Sequence, residues 1–69
     1  MSSKGVVSWF NDIKGFGFIV DEAGRDIYVH YAEVIRDGFK TLNVGEKVVF
    51  DVVDADSAPK AIDVRIVSY

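Results

Sequence analysis

The apolar runs of this chain are short, and Asn, Asp or Gly interrupts each of them before any helical period is established. That punctuation predicts strands. Residues 5–10 form a first apolar run, closed by Asn11-Asp12-Ile13, and residues 15–20 form a second. Asp21-Glu22-Ala23-Gly24 then reads as a hairpin loop leading into a third strand at 26–30. The stretch from 31 to 44 holds at most one helical turn, at 31–35, followed by a long loop at 37–42 and a turn at 43–46. A fourth strand at 47–53 places Val48, Phe50 and Val52 on one side. After a loop at 54–59, Ile62, Val64 and Ile66 alternate with Asp63, Arg65 and Val67 in the last strand. Five short strands without a covering helix bury one face economically by closing on themselves. The expectation is all-β: a five-stranded antiparallel closed barrel.

A chain of 69 residues makes a single domain, residues 1–69, with a thin core. At this size only about 60% of the unfolded surface is buried. No cysteine is present, so neither a disulfide nor a thiolate metal site is available, and a lone histidine, His30, does not make a metal site. No apolar stretch has the length of a signal peptide or a membrane span, which predicts a cytoplasmic protein without a membrane partner. Eight Lys and Arg against eleven Asp and Glu give a formal net charge of −3, unusual for a partner of nucleic acid. The distribution is less adverse than the sum: from Lys4 to Val20 there are two cations and one acid, Asp12.

Alternation also puts large rings where a sheet normally meets water. Phe16 and Phe18 share one side of their strand, opposite Gly17 and Ile19, and Tyr28 and His30 share one side of theirs, opposite Ile27 and Val29. Aligned, the two strands present a plate of four flat side chains, with Lys14 at its end as a candidate phosphate contact. Such a plate suits stacked bases. Trp9 belongs to a strand that is apolar on both faces, so parity leaves it open between plate and core. Lys4, Arg36, Lys40 and Lys60 are weaker candidates for phosphate contact, and Asn11 fits a turn that satisfies its own backbone.

Catalysis finds no support. Gly15-Phe16-Gly17 lacks the third glycine and the helix of a dinucleotide loop, and no phosphate-binding Gly-Lys-Ser/Thr sequence occurs. No serine sits in a nucleophile elbow. No catalytic residue, metal or cofactor is expected. Lys14 to Phe18 also match the start of the four-stranded RNA-recognition consensus, but Asp21 stands where that motif needs a ring and its two helices are missing. A barrel that docks a protein through its aromatic patch is the alternative function.

Three segments together, Gly5-Val6-Val7-Ser8-Trp9-Phe10-Asn11, Lys14-Gly15-Phe16-Gly17-Phe18-Ile19 and Asp26-Ile27-Tyr28-Val29-His30-Tyr31, resemble the bacterial cold-shock proteins. Gly38-Phe39-Lys40-Thr41-Leu42 and Val44-Gly45-Glu46-Lys47-Val48 follow in the same order. The resemblance covers nearly the whole chain. It implies a barrel that binds single-stranded RNA and DNA, often pyrimidine-rich, and acts as an RNA chaperone or as a regulator of transcription and translation, including in the cold-shock response. It implies stacking roles for Trp9, Phe16, Phe18, Tyr28, His30, Tyr31 and Phe39 and a phosphate role for Lys14; for Tyr31 and Phe39 the resemblance is the sole basis. The chain departs from the family pattern at Ser8, where a lysine or arginine is common, and at Tyr28 and Tyr31, usually phenylalanine. Asp63 replaces a more usual asparagine, and acids precede Pro59 where basic residues are common. A monomer is the simplest assembly, with a strand-exchanged dimer as the alternative.

Overall fold

The computed structural model describes residues 2–36, 38, 41–55 and 58–67. Strands β1 (Ser3–Asn11), β2 (Phe16–Asp21) and β3 (Asp26–His30) form an antiparallel meander. One 3-10 turn, Tyr31–Glu33, leads into the two-residue strand β4 (Val34–Ile35), and two long strands follow, β5 (Lys47–Ala55) and β6 (Ala58–Ile66). The order around the sheet is β3-β2-β1-β5-β6-β4, and β3 also pairs with β6, which closes the barrel. The closing contact is parallel, with Tyr28 opposite Lys60, and so is the pairing of β4 with β6. Direction cannot alternate all the way round a closed ring of five strands, so the antiparallel expectation fails at one seam by topology alone. The helical turn expected at 31–35 is confined to Tyr31–Glu33, and β5 and β6 extend further into the 54–59 segment than the turn residues there implied.

Val7, Ile19, Ile27, Val29, Val34, Leu42, Val48, Phe50, Ala61 and Val64 are buried, and Phe10, Val52 and Ile66 pack against them. No polar or charged side chain is buried among the described residues. Two irregularities decide which residues face this core. In β1 the register slips between Val7, opposite Ile19, and Trp9, opposite Phe18. The slip turns Val7 inward and Trp9 outward although both are odd-numbered. In β6 the slip falls between the pairs Asp51↔Ile62 and Val49↔Arg65. Three steps on β6 there match two on β5, so Ala61 and Val64 point inward and Ile62 is left half-buried on the outside. Simple alternation, which grouped Ile62 with Val64, breaks at this bulge.

The extra residue is Asp63, with φ of 50°, the left-handed conformation that favours glycine and, next, asparagine. That geometry accounts for the residue type the resemblance leads one to expect here. Asp63→Gly is expected to raise stability by about 1 kcal/mol, and Asp63→Val to lower it by about 1–2 kcal/mol, in urea melts. Equal midpoints for the two variants would remove the strain from this account.

One ion pair joins Arg36, just after β4, to Glu46, just before β5. Arg36 donates from Nη2 to Glu46 Oε2 at 2.8 Å and from Nη1 to Glu46 Oε1 at 3.3 Å and the Thr41 carbonyl oxygen at 2.7 Å. The Asn43 amide donates to the same Glu46 oxygen, Oε1, at 2.7 Å. Burial alone would push the Glu46 carboxyl up, but the Arg36 fork and the Asn43 amide together hold it below its ordinary value of 4.5. Asp21 is also held low, below 3.8, chiefly by the Arg25 amide and then by the Arg25 side chain. Both folded carboxyls bind protons less readily than in the unfolded chain, so stability is full above the unfolded values and is lost as pH falls through the folded ones. Chemical melts at a series of pH values should therefore give constant midpoints around pH 6–8 and falling midpoints below about 4.5. Glu46→Gln should flatten part of that acid limb; an unchanged limb would contradict this role of the ion pair.

Candidate nucleic-acid interface

The outward rings of β1, β2 and β3 meet because the strands are in register. Phe18 lies opposite Tyr28 and Phe16 opposite His30, and the β1 slip brings Trp9 opposite Phe18. Trp9 packs edge-on to Phe16, with centroids 5.5 Å apart, and stacks against Phe18 at 6.3 Å. Tyr28 stacks on Phe16 at 6.0 Å and meets Phe18 edge-on at 6.1 Å. Each phenylalanine is thus held between two other rings, in the offset and edge-to-face geometries that aromatic quadrupoles favour. The rings cover one another's edges and leave outward faces: Phe16, Phe18, Tyr28 and His30 are half-buried, and Trp9 is 44% exposed.

What lies beneath the plate explains its glycine. A methyl group on Gly17 would meet the Trp9 carbonyl oxygen and approach Phe10 Cα to 2.7 Å. Gly17 lets β1 lie close against β2, and that closeness carries Trp9 to the phenylalanines. The Ser8 hydroxyl, at the β1 irregularity, donates to the Phe18 carbonyl oxygen at 3.2 Å. Where the resemblance leads one to expect a cation, this chain places a short side chain tied to its own sheet.

The β1–β2 connection is fixed by Asn11, whose Oδ1 accepts from the amides of Ile13 at 3.0 Å and Lys14 at 2.9 Å. The Gly15 amide donates to the Asn11 carbonyl oxygen at 2.7 Å, and Gly15 takes φ of 76°. Asn11 therefore serves the backbone, and the turn it holds presents an exposed Lys14 beside the plate. The Thr41 hydroxyl bonds Asp12 Oδ1 at 3.0 Å, which ties this turn to the residue whose carbonyl oxygen Arg36 holds. Arg36 itself is committed to Glu46 and is not a free cation.

At the other end, His30 Nδ1 accepts from the Ala32 amide at 3.1 Å and caps the 3-10 turn. The ring at the same time lies 4.5 Å from that of Tyr31, so structural and surface roles coexist in one side chain. Tyr31 is 47% exposed, its amide donates to the Gly15 carbonyl oxygen at 2.8 Å, and its ring lies so close over Gly15 that a methyl group there would strike it. Of the eight residues singled out from sequence, Trp9, Phe16, Phe18 and Tyr28 form one group of packed rings, His30 and Tyr31 form a ring pair next to it with His30 opposite Phe16, and Lys14 is carried by the adjoining turn. Phe39 lies outside the described residues, as does Lys40.

Near this surface, Glu33 escaped the sequence reading and Lys60 figured there only as a weaker candidate for phosphate contact. Lys60 stands opposite Tyr28 across the parallel seam, and Glu33 ends the 3-10 turn that His30 caps. Both line an open groove of about 360 Å³ with Tyr28, His30, Val53, Ala61 and Ile62. The signal for Glu33 lay in its position three residues after His30, a spacing that carries meaning once a tight turn is known to follow the strand.

A family model described as the 'Cold-shock' DNA-binding domain matches residues 3–67. Cold shock protein 2 of Lactiplantibacillus plantarum is 49% identical over 62 residues, covering 90% of this chain and 94% of that one. The major cold shock protein of Streptococcus pyogenes serotype M18 is 45% identical over 62 residues, covering 90% and 92%. Among solved structures, drosophila Unr CSD456 superposes with a TM-score of 0.82 at 22% identity over 99% of this chain and 27% of that longer one, a likeness of fold. The family match and these two relatives each cover about nine-tenths of the chain, and its ring-bearing strands are aligned on one face: the chain belongs to the cold-shock DNA-binding domain family.

Proposed function

We propose that this protein binds single-stranded RNA and DNA by stacking successive bases on Trp9, Phe16, Phe18, Tyr28, His30 and Tyr31, with Phe39 adding a further ring and Lys14 contacting phosphate. The observation that carries the reading is the unbroken ring surface across β1, β2 and β3, with inter-ring distances of 5.5–6.3 Å and its outer faces open. Each stacked base contributes about 1–3 kcal/mol, so three or four platforms support micromolar or tighter binding after association costs. Pyrimidine-rich strands are the expected ligands. Bases held flat on the sheet are unavailable for pairing, so a bound strand stays open. That is the physical content of an RNA chaperone, and of a regulator of transcription and translation that acts by keeping a strand single. The activity needs no catalysis and no cofactor, and it suits a cytoplasmic monomer serving a cold-shock role.

Few cations flank the plate, so binding should depend only shallowly on salt. In a titration with heptathymidine the logarithmic salt slope is expected to be about −1 to −3, since single strands contribute roughly −0.7 per phosphate contacted. The net charge of −3 and the apolar surface favour a second reading, docking of a protein partner on the same plate. Failure to bind heptathymidine at any salt concentration would replace the first reading with the second.

A further inference from the structure

The groove at the parallel seam gives the stacking face a chemical polarity that rings alone lack. Tyr28 and His30, which belong to the plate, line the groove together with Glu33, Lys60, Val53, Ala61 and Ile62. The volume of about 360 Å³ falls within the range of small-ligand sites, roughly 300–1,000 Å³. Tyr28 and Lys60 are paired residues of neighbouring strands, which sets their side chains next to each other on one face of the β3–β6 seam. His30 is held by the Ala32 amide, which fixes the start of the turn that ends in Glu33. Neither the Glu33 side chain nor the Lys60 side chain forms a hydrogen bond or ion pair with another described residue.

A half-buried carboxylate beside a surface for polyanions repels phosphate unless a ligand donates to it. The donor that projects furthest from the edge of a stacked base is an exocyclic amino group, which cytosine, adenine and guanine carry, whereas thymine and uracil offer only a ring N–H. We infer that Glu33 and Lys60 form a base-reading subsite at the β3–β6 seam, in which Lys60 holds a backbone phosphate and the Glu33 carboxylate accepts from the exocyclic amino group of a base, as on cytosine. The inference rests on the proposed stacking of a single strand on Tyr28 and His30. It makes the chain less tolerant of sequence at one position than a plain ring surface would be.

The test compares heptacytidine with heptathymidine on the parent, Glu33→Ala and Lys60→Ala at one fixed salt concentration. Glu33→Ala should shift the affinity ratio toward heptathymidine by about tenfold, because one good contact to a base edge discriminates on that scale. A ratio unchanged within about twofold, even with both oligomers bound more tightly, would overturn the inference by reducing Glu33 to a source of repulsion. Lys60→Ala should weaken both oligomers alike by a few-fold, whereas an effect confined to one would overturn the phosphate role. A parent that binds neither oligomer would instead overturn the stacking reading, and the subsite with it.

Discussion

Phe18→Ala is expected to weaken the binding of heptathymidine by about 5- to 150-fold, the equivalent of one lost stacking platform. Phe18 is the test position because it sits near the middle of the plate, between Trp9 at 6.3 Å and Tyr28 at 6.1 Å, so its loss removes one platform and loosens two others. The ring is half-buried against those neighbours, and truncation should also lower stability by about 1 kcal/mol through the lost ring pairs. Binding is therefore best measured well below the midpoint of thermal unfolding. Phe16→Ala, which removes contacts to Trp9 and Tyr28, should behave alike. A pair of variants that unfold earlier but bind with parental affinity would mean that the plate is structural and that the ligand lies elsewhere.

The second large effect concerns stability. Gly17→Ala should destabilise the fold by about 3 kcal/mol, the upper end for overpacking, because the added methyl group meets backbone atoms of Trp9 and Phe10 that cannot rotate away. A domain of this size has a total stability of only roughly 3–10 kcal/mol. The midpoint of thermal unfolding should fall by about 10–25 °C, at about 4–8 °C per kcal/mol. Gly24→Ala is the control. Gly24 has φ of 86° with open space around it, so that variant should lose only about 1 kcal/mol to backbone strain. Equal losses at the two positions would contradict the close approach of β1 and β2 on which the position of Trp9 depends.

Period-two alternation was enough to read the ring face of β2 and β3, because both strands are regular and run in simple antiparallel register over Phe16–His30 and Phe18–Tyr28. It was insufficient wherever a bulge intervenes. Parity could not place Trp9, since Val7 and Trp9 are two residues apart yet lie on opposite faces once the register slips between them. It misplaced Ile62 for the same reason, because the left-handed Asp63 is an extra residue that alternation does not anticipate. The parallel seam was invisible for a different reason: it follows from closing the ring, a property of the whole chain rather than of any segment. Lys60 and Glu33 reach the site only through that closure and through the turn after His30, so charges that looked remote in sequence stand beside Tyr28. The tie between Asp12 and Thr41, 29 residues apart, was likewise out of reach of local patterns.

The account turns on whether bases stack on this plate, and Trp9 reports on it from inside, being the only tryptophan and 44% exposed among the other rings. The direct measurement is a titration of its fluorescence with heptathymidine, with a DNA duplex of matched length as the control. Stacking on the plate predicts saturable quenching by the single strand and none by the duplex, whose bases are already stacked and paired. Emission that does not change with the single strand, or that is quenched equally by the duplex, would contradict it.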